Sequence, residues 1–154
     1  MSIFNQNFIK QFSSSLICKN DGIFYSDSFE KISYPNEYND LCFEIEENSF
    51  WFRHRNDCII EMIKNYHSTK NGPIFDVGGG NGFVAKGLLD AGLEVVLVEP
   101  GQAGAINAKK RGVPHVICAT THTAQFKPRT IPAIGVFDVV EHIEDDIGFL
   151  KHSD

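Results

Sequence analysis

The sequence has no apolar run long enough to cross a membrane. Its longest uninterrupted apolar stretches are only a few residues long, whereas a transmembrane helix needs roughly 20. The N-terminal segment MSIFNQNFIK also lacks the apolar core of a secretory signal. We therefore expect a soluble, cytoplasmic protein without a membrane partner.

Basic residues are also scarce. The chain has 14 Lys and Arg against 20 Asp and Glu, which gives a formal net charge of -6. Apart from Arg53, Arg55 and the run at 109–111, the basic residues are scattered along the chain. Because no continuous phosphate-binding face is apparent, duplex nucleic acid is not an expected partner.

The four cysteines form no CxxC pair. They lie at positions 18, 42, 58 and 118, which supports neither a zinc ribbon nor a dense disulfide framework. Cys58 and Cys118 have apolar neighbours and are predicted to be small core residues. No metal site is predicted, since the adjacent acidic residues and histidine at 141–146 lie on one short segment and seldom complete a site alone.

Aromatic residues are concentrated in residues 1–52, which we interpret as a small accessory region. Phe4, Phe8 and Phe12 recur at helical spacing, and Asn20-Asp21-Gly22 between two apolar triplets predicts a β-hairpin. We expect the rings to pack on the main domain, residues 53–154. A lid over a substrate is the alternative.

Strands and helices alternate through the main domain. A helix is predicted from Asn56 to about Asn71, with Trp51 and Phe52 before it in the core. Strands are predicted at 74–77, 94–99, 113–118 and 133–140, with helices at 83–91, 102–111 and 145–151. This order predicts a doubly wound, Rossmann-like α/β fold with a parallel sheet.

A glycine-rich turn joins the first of these strands to its helix. It reads Asp76-Val77-Gly78-Gly79-Gly80-Asn81-Gly82, and glycine lets backbone amides approach a ligand closely. The dinucleotide fingerprint needs a third glycine where this chain has Phe83, so an NAD-dependent oxidoreductase is the less favoured alternative. Glu99 ends the next strand, where a carboxylate can accept both hydroxyls of a ribose.

Three segments carry a family resemblance. IFDVGGGNGFVAKGLLDAGLEVVLVEPG resembles motif I and the acidic strand end of class I S-adenosylmethionine-dependent methyltransferases. FDVVEHIEDDIGFLK is similar to their fourth strand and the segment after it, and SFWFRHRN resembles an aromatic-Arg segment that precedes the domain in many small-molecule methyltransferases. Together they cover roughly residues 48–151.

The resemblance implies a site for S-adenosylmethionine across the carboxyl ends of the strands. Its methionine part would lie on the glycine loop, with Asp76 orienting the ammonium and Arg55 reaching the carboxylate. The implied contacts are Gly78, Gly79, Gly80 and Gly82 for the methionine part, Glu99 for the ribose, Pro100 for the adenine, and Phe137 and Asp138 for the sulfonium. The acidic residue that often follows the third strand is replaced by Ala119-Thr120-Thr121, so backbone or a hydroxyl must receive the adenine amino group. The alternative role for Arg55 is that of a solvent-exposed arginine at the start of the helix, without contact to the ligand.

Two residues are candidates for catalysis. Methyl transfer is an in-line displacement, for which positioning can supply much of the rate. Glu141 and His142 lie near the expected methyl position, and His142 could take a proton from a hydroxyl acceptor, since histidine is the side chain that most often serves as a general base. A purely structural role in the loop is the alternative for both. The acceptor is expected to be a small molecule, and a non-catalytic nucleoside-binding module is the alternative function.

The sequence supplies only the first four strands of the sheet that the resemblance implies. We therefore expect an incomplete class I methyltransferase fold, truncated after the fourth strand, and no turnover by this chain. The fourth strand would become an exposed edge, through which we expect self-association.

Overall fold

The computed structural model describes residues 3–28, 36–66, 72–143 and 145–151. The helices are α1 (Ile3–Lys10), α2 (Asn36–Asn48), α3 (Phe50–Tyr66), α4 (Phe83–Asp90), α5 (Gln102–Lys110) and α6 (Asp146–Lys151). The strands are β1 (Ile17–Cys18), β2 (Phe24–Tyr25), β3 (Ile74–Val77), β4 (Val95–Val98), β5 (His115–Cys118) and β6 (Ala133–Gly135). They form one sheet in the order β1-β2-β5-β4-β3-β6.

The centre of the sheet is parallel and covered on both faces. β3 pairs in parallel with β4 and β6, and β4 pairs in parallel with β5. Val95 and Leu97 of β4 face one apolar cluster, and Val96 and Val98 face the other. Because both faces are buried, the central strands are mainly apolar rather than alternating, with Asp76 of β3 and His115 of β5 as the polar exceptions. The predicted Rossmann-like α/β fold is confirmed.

The predicted hairpin is present and extends the sheet. β1 and β2 are antiparallel, and β2 adds to the edge of β5 in parallel, with Phe24 opposite Ile117. The turn is stabilised by Asp21, which accepts hydrogen bonds from the Ile23 amide (3.0 Å) and the Tyr25 hydroxyl (2.8 Å). The division of the chain at residue 52 stays a prediction, since strands from both sides of it share this sheet.

Two helical predictions need correction. α3 begins at Phe50 rather than Asn56, and α2 was not predicted. Trp51, predicted to be buried, is 65% exposed, because α3 contacts the core through Ile59, Ile60 and Ile63 on another side of the helix. Cys58 is exposed, so its core assignment is also wrong, whereas Cys118 is buried as predicted. Asn71, the predicted end of this helix, lies outside the described residues.

The fourth predicted strand is shorter than expected. β6 covers only Ala133–Gly135, because Asp138 adopts a positive φ of 56° and the chain then forms a 3-10 turn at Val140–His142. β6 is the last strand of the sheet in the described ranges, and self-association through it stays a prediction. No helix in these ranges has the length and apolarity to cross a membrane.

Candidate functional site

A cleft of about 770 Å³ opens at the carboxyl ends of the parallel strands. Val77 at the end of β3 lines it, as do Glu99, Thr120 and Phe137, which follow β4, β5 and β6. Ligand clefts in proteins span roughly 300–1,000 Å³, and in parallel α/β sheets they lie at this end of the strands. The cleft therefore has the size and position of a small-molecule site.

The glycine loop forms the floor of the cleft. Gly78, Gly79 and Gly80 line it. A Cβ at Gly80 would meet no atom of the described part of the chain within 4 Å, so its lack of a side chain leaves room on the cleft side. Gly82 is not among the described residues that line the cleft. A Cβ there would lie 2.8 Å from Cβ of Ala108, so Gly82 allows α5 to pack against the loop.

Glu99 is held in place by backbone amides. Its Oε2 accepts a hydrogen bond from the Gly80 amide (2.9 Å), and its Oε1 accepts one from the Gly101 amide (2.6 Å). Burial raises the pKa of Glu99, while these two hydrogen bonds oppose the rise by favouring the carboxylate. The side chain lines the cleft beside Pro100, so a fixed carboxylate is presented to any ligand there.

Asp76 is a buried carboxylate on the cleft wall. It is 1% exposed, and its Oδ2 has no hydrogen-bond partner among the described residues. Burial, with a further contribution from Glu99, raises its pKa to about 7, against the opposing effects of Arg55 and the Ala85 amide. A buried acceptor without a hydrogen bond is costly to a fold. Such an acceptor on a cleft wall is expected where a bound ligand donates the missing hydrogen bond.

Arg55 reaches the cleft from α3. Its guanidinium lies 2.6 Å from Oδ2 of Asp138, and both residues line the cleft with Phe137. The ion pair joins α3 to the loop that follows β6. The left-handed backbone at Asp138 is strained for a residue other than glycine, a feature that is concentrated at functional sites.

The two candidate catalytic residues are placed differently. Both side chains are exposed, but His142 lines the cleft, whereas Glu141 is not among the described lining residues. Phe52 also lines the cleft, where its ring lies edge-on to Phe83 with centroids 6.0 Å apart. Within the described ranges, no three His, Cys, Asp or Glu side chains come together as a metal site requires.

Sequence reasoning missed the part of the site that comes from α2 and α5. Cys42 and Glu46 of α2 line the cleft. Gly104 of α5 allows a close approach, since a Cβ there would lie 3.0 Å from Cγ of Glu99 and 3.0 Å from the carbonyl oxygen of Gly80. The small residues Ala103-Gly104-Ala105 at the start of that helix were the only signal of this packing.

Part of the chain matches a known protein family. The model of a family described as "Methyltransferase domain" matches residues 75–153, which include the glycine loop, Glu99 and the segment after β6. No curated protein matches the chain.

Proposed function

Because the chain belongs to the methyltransferase domain family, we propose that it uses S-adenosylmethionine as methyl donor and a small molecule as acceptor. One observation carries the choice of donor. The open backbone of Gly80, the fixed carboxylate of Glu99 and the unpaired Oδ2 of Asp76 all belong to a single cleft at the strand ends. A nucleoside joined to a cationic amino acid needs a close backbone, a hydroxyl acceptor and an ammonium acceptor.

The residues of the cleft fit this ligand group by group. Glu99 offers a charged acceptor for ribose hydroxyls, and Asp76 offers a buried oxygen that lacks a partner. Arg55 can exchange Asp138 for the carboxylate of an amino acid, because its guanidinium can donate to either carboxylate. Thr120 and Thr121 supply hydroxyls and backbone beside the adenine position that the resemblance implies.

The chain's own contribution to methyl transfer is positioning and proton removal. S-Adenosylmethionine supplies an already activated methyl group, so holding two reactants in line provides a large share of the rate. Phe52, Phe137 and Ile143 line the cleft with His142 and would exclude water from an acceptor bound there. His142 would take the proton of a hydroxyl or amine acceptor. Glu141 is left out of this proposal, since it does not line the cleft among the described residues.

Calorimetry with three ligands tests the proposed methyl donor. S-Adenosylmethionine and S-adenosylhomocysteine should each saturate the wild-type chain with one site, because both carry the ribose and the amino-acid ammonium. NAD should bind much more weakly, because Phe83 stands where the dinucleotide fingerprint has glycine. Binding of NAD alone would replace this proposal with an oxidoreductase.

A further inference from the structure

Helix α2 forms one side of the cleft. Cys42 and Glu46, one helical turn apart, both line it. α2 packs against α5, which comes after β4 and Glu99 in the chain. The helix therefore joins a part of the chain before the main domain to the ligand cleft.

A single buried guanidinium connects α2 to the glycine loop. The side chain of Arg111, just after α5, is only 4% exposed. Its Nη1 donates to Oε2 of Glu46 (2.7 Å) and to the carbonyl oxygen of Asn81 (2.9 Å), and its Nη2 donates to the carbonyl oxygen of Phe43 (2.9 Å). One partner belongs to the glycine loop and the other two belong to α2.

Further contacts hold this guanidinium in place. Its central carbon lies 4.3 Å from the ring centroid of Phe43 and 5.4 Å from that of Phe83, and cations are attracted to aromatic faces at these distances. The second oxygen of Glu46 accepts from the Asn81 side-chain amide at 3.5 Å. Burying a charge is costly unless partners surround it in good geometry, so this arrangement specifies one position of α2 relative to the loop.

We propose that Arg111 is a positioning residue of the methyl-donor site: it holds α2 against the carbonyl of Asn81, so that Cys42 and Glu46 form a wall of the cleft. The inference rests on the proposed function, because it assumes that the ligand in the cleft is the methyl donor. Arg111 is not among the described residues that line the cleft, so its effect on binding must pass through α2 and the loop.

Arg111→Lys is the most direct variant. Lysine keeps the positive charge, but its single ammonium cannot reproduce the planar fork that reaches one carboxylate and two carbonyls. The dissociation constant for S-adenosylhomocysteine should rise about tenfold, which lies within the roughly 5- to 150-fold range that coupling between two linked sites commonly spans. Asp90→Asn is the matched control, because it removes the exposed Lys86–Asp90 ion pair of α4, away from the cleft, and its dissociation constant should be that of the wild type.

Hydrogen exchange separates positioning from a general loss of stability. In the wild type, S-adenosylhomocysteine should slow amide exchange in residues 36–48 as well as in the glycine loop. In Arg111→Lys at saturating ligand, the loop should stay protected while the ligand no longer slows exchange in residues 36–48. A variant that is merely less stable would exchange faster everywhere, with and without ligand.

Three outcomes would overturn the inference. The first is a wild-type dissociation constant in Arg111→Lys, and the second is no ligand-dependent slowing of α2 in the wild type. The second can be measured even if the variant fails to fold, so the test does not depend on that protein. The third is a wild type that binds no S-adenosylhomocysteine, which removes the proposed function as well and is therefore distinguishable from the other two.

Discussion

Replacing Glu99 by glutamine should weaken binding of the methyl donor while the protein stays folded. The carboxylate accepts one backbone hydrogen bond at each oxygen, from Gly80 and Gly101. Glutamine keeps one acceptor oxygen and places an NH₂ group at the other position, where it faces a backbone N–H donor. The substitution thus removes the negative charge and one of the two acceptors with almost no change in volume.

The magnitude follows from the kind of bond that is lost. A hydrogen bond to a charged group contributes about 1.5–3 kcal/mol, and a neutral one about 0.5–1.5 kcal/mol. If ribose hydroxyls share this carboxylate with the two amides, the binding free energy should fall by about 1–3 kcal/mol, or roughly 5- to 150-fold in the dissociation constant. Burial raises the pKa of Glu99, so its charge is itself a cost to the fold. Glu99→Gln should therefore change the unfolding free energy less than the binding free energy.

The assay is calorimetric titration of S-adenosylhomocysteine and of its deoxyribose analogue into both proteins. The wild type should bind the analogue more weakly than the ribose compound, and Glu99→Gln should reduce that difference. Glu94→Gln is the control, because Glu94 is exposed and precedes the opposite end of the same strand. Equal dissociation constants of S-adenosylhomocysteine for wild type and Glu99→Gln would refute the role of Glu99 in holding the ribose. The same would follow if the deoxyribose analogue lost as much affinity for Glu99→Gln as for the wild type.

The remaining predictions concern the loop, the buried acid and the sheet edge. Gly80→Val should abolish ligand binding, whereas the control Gly92→Val should not. Both glycines have a positive φ and open space around a Cβ, but of the two only Gly80 lines the cleft. Similar calorimetric affinities for the two variants would contradict this prediction. The pKa of Asp76 in the folded protein is raised from 3.8 to about 7, so its carboxylate ionises between pH 6 and pH 8. The affinity of the wild type for the ammonium-bearing ligand should therefore increase over this range, and the affinity of Asp76→Asn should not change with pH in this way. Ionisation of this buried acid destabilises the unliganded fold as the pH rises from about 4 to above 7. Asp76→Asn should therefore also raise the melting temperature at pH 8. An unchanged or lower melting temperature would contradict the claim that a buried charge at Asp76 destabilises the fold. Gly82→Ala should lower the unfolding free energy by about 1–3 kcal/mol through overpacking against α5, clearly more than Gly92→Ala, and equal denaturation midpoints for the two would refute the packing role. Light scattering over a concentration series should reveal pairing of two copies through β6, and a monomer at every concentration would contradict it.

The sequence predicted the part of the fold that local patterns determine. The mainly apolar residues of β3 and β4, with a glycine loop after one strand and an acid after the other, were enough to predict the parallel sheet and the floor of the cleft. These features depend on residues adjacent in the chain. Their positions in the structure follow from the strand–turn–helix order alone.

The elements that the sequence did not predict depend on contacts between distant residues. α2 carries exposed Leu41 and Ile45, so its apolar residues do not mark a buried face, and its position depends on bonds to Arg111, which lies far along the chain. Trp51 was expected in the core because it is aromatic, yet α3 turns it outward. β6 ends early because Asp138 adopts a left-handed conformation, which its residue type does not require.

A crystal structure of the chain with S-adenosylhomocysteine tests the central claim most directly. We expect the ribose hydroxyls to lie on the carboxylate of Glu99, the homocysteine ammonium to lie within hydrogen-bond distance of Oδ2 of Asp76, and the homocysteine chain to pass over Gly80. A ligand bound outside this cleft, or one that leaves Asp76 and Glu99 without contacts, would contradict it.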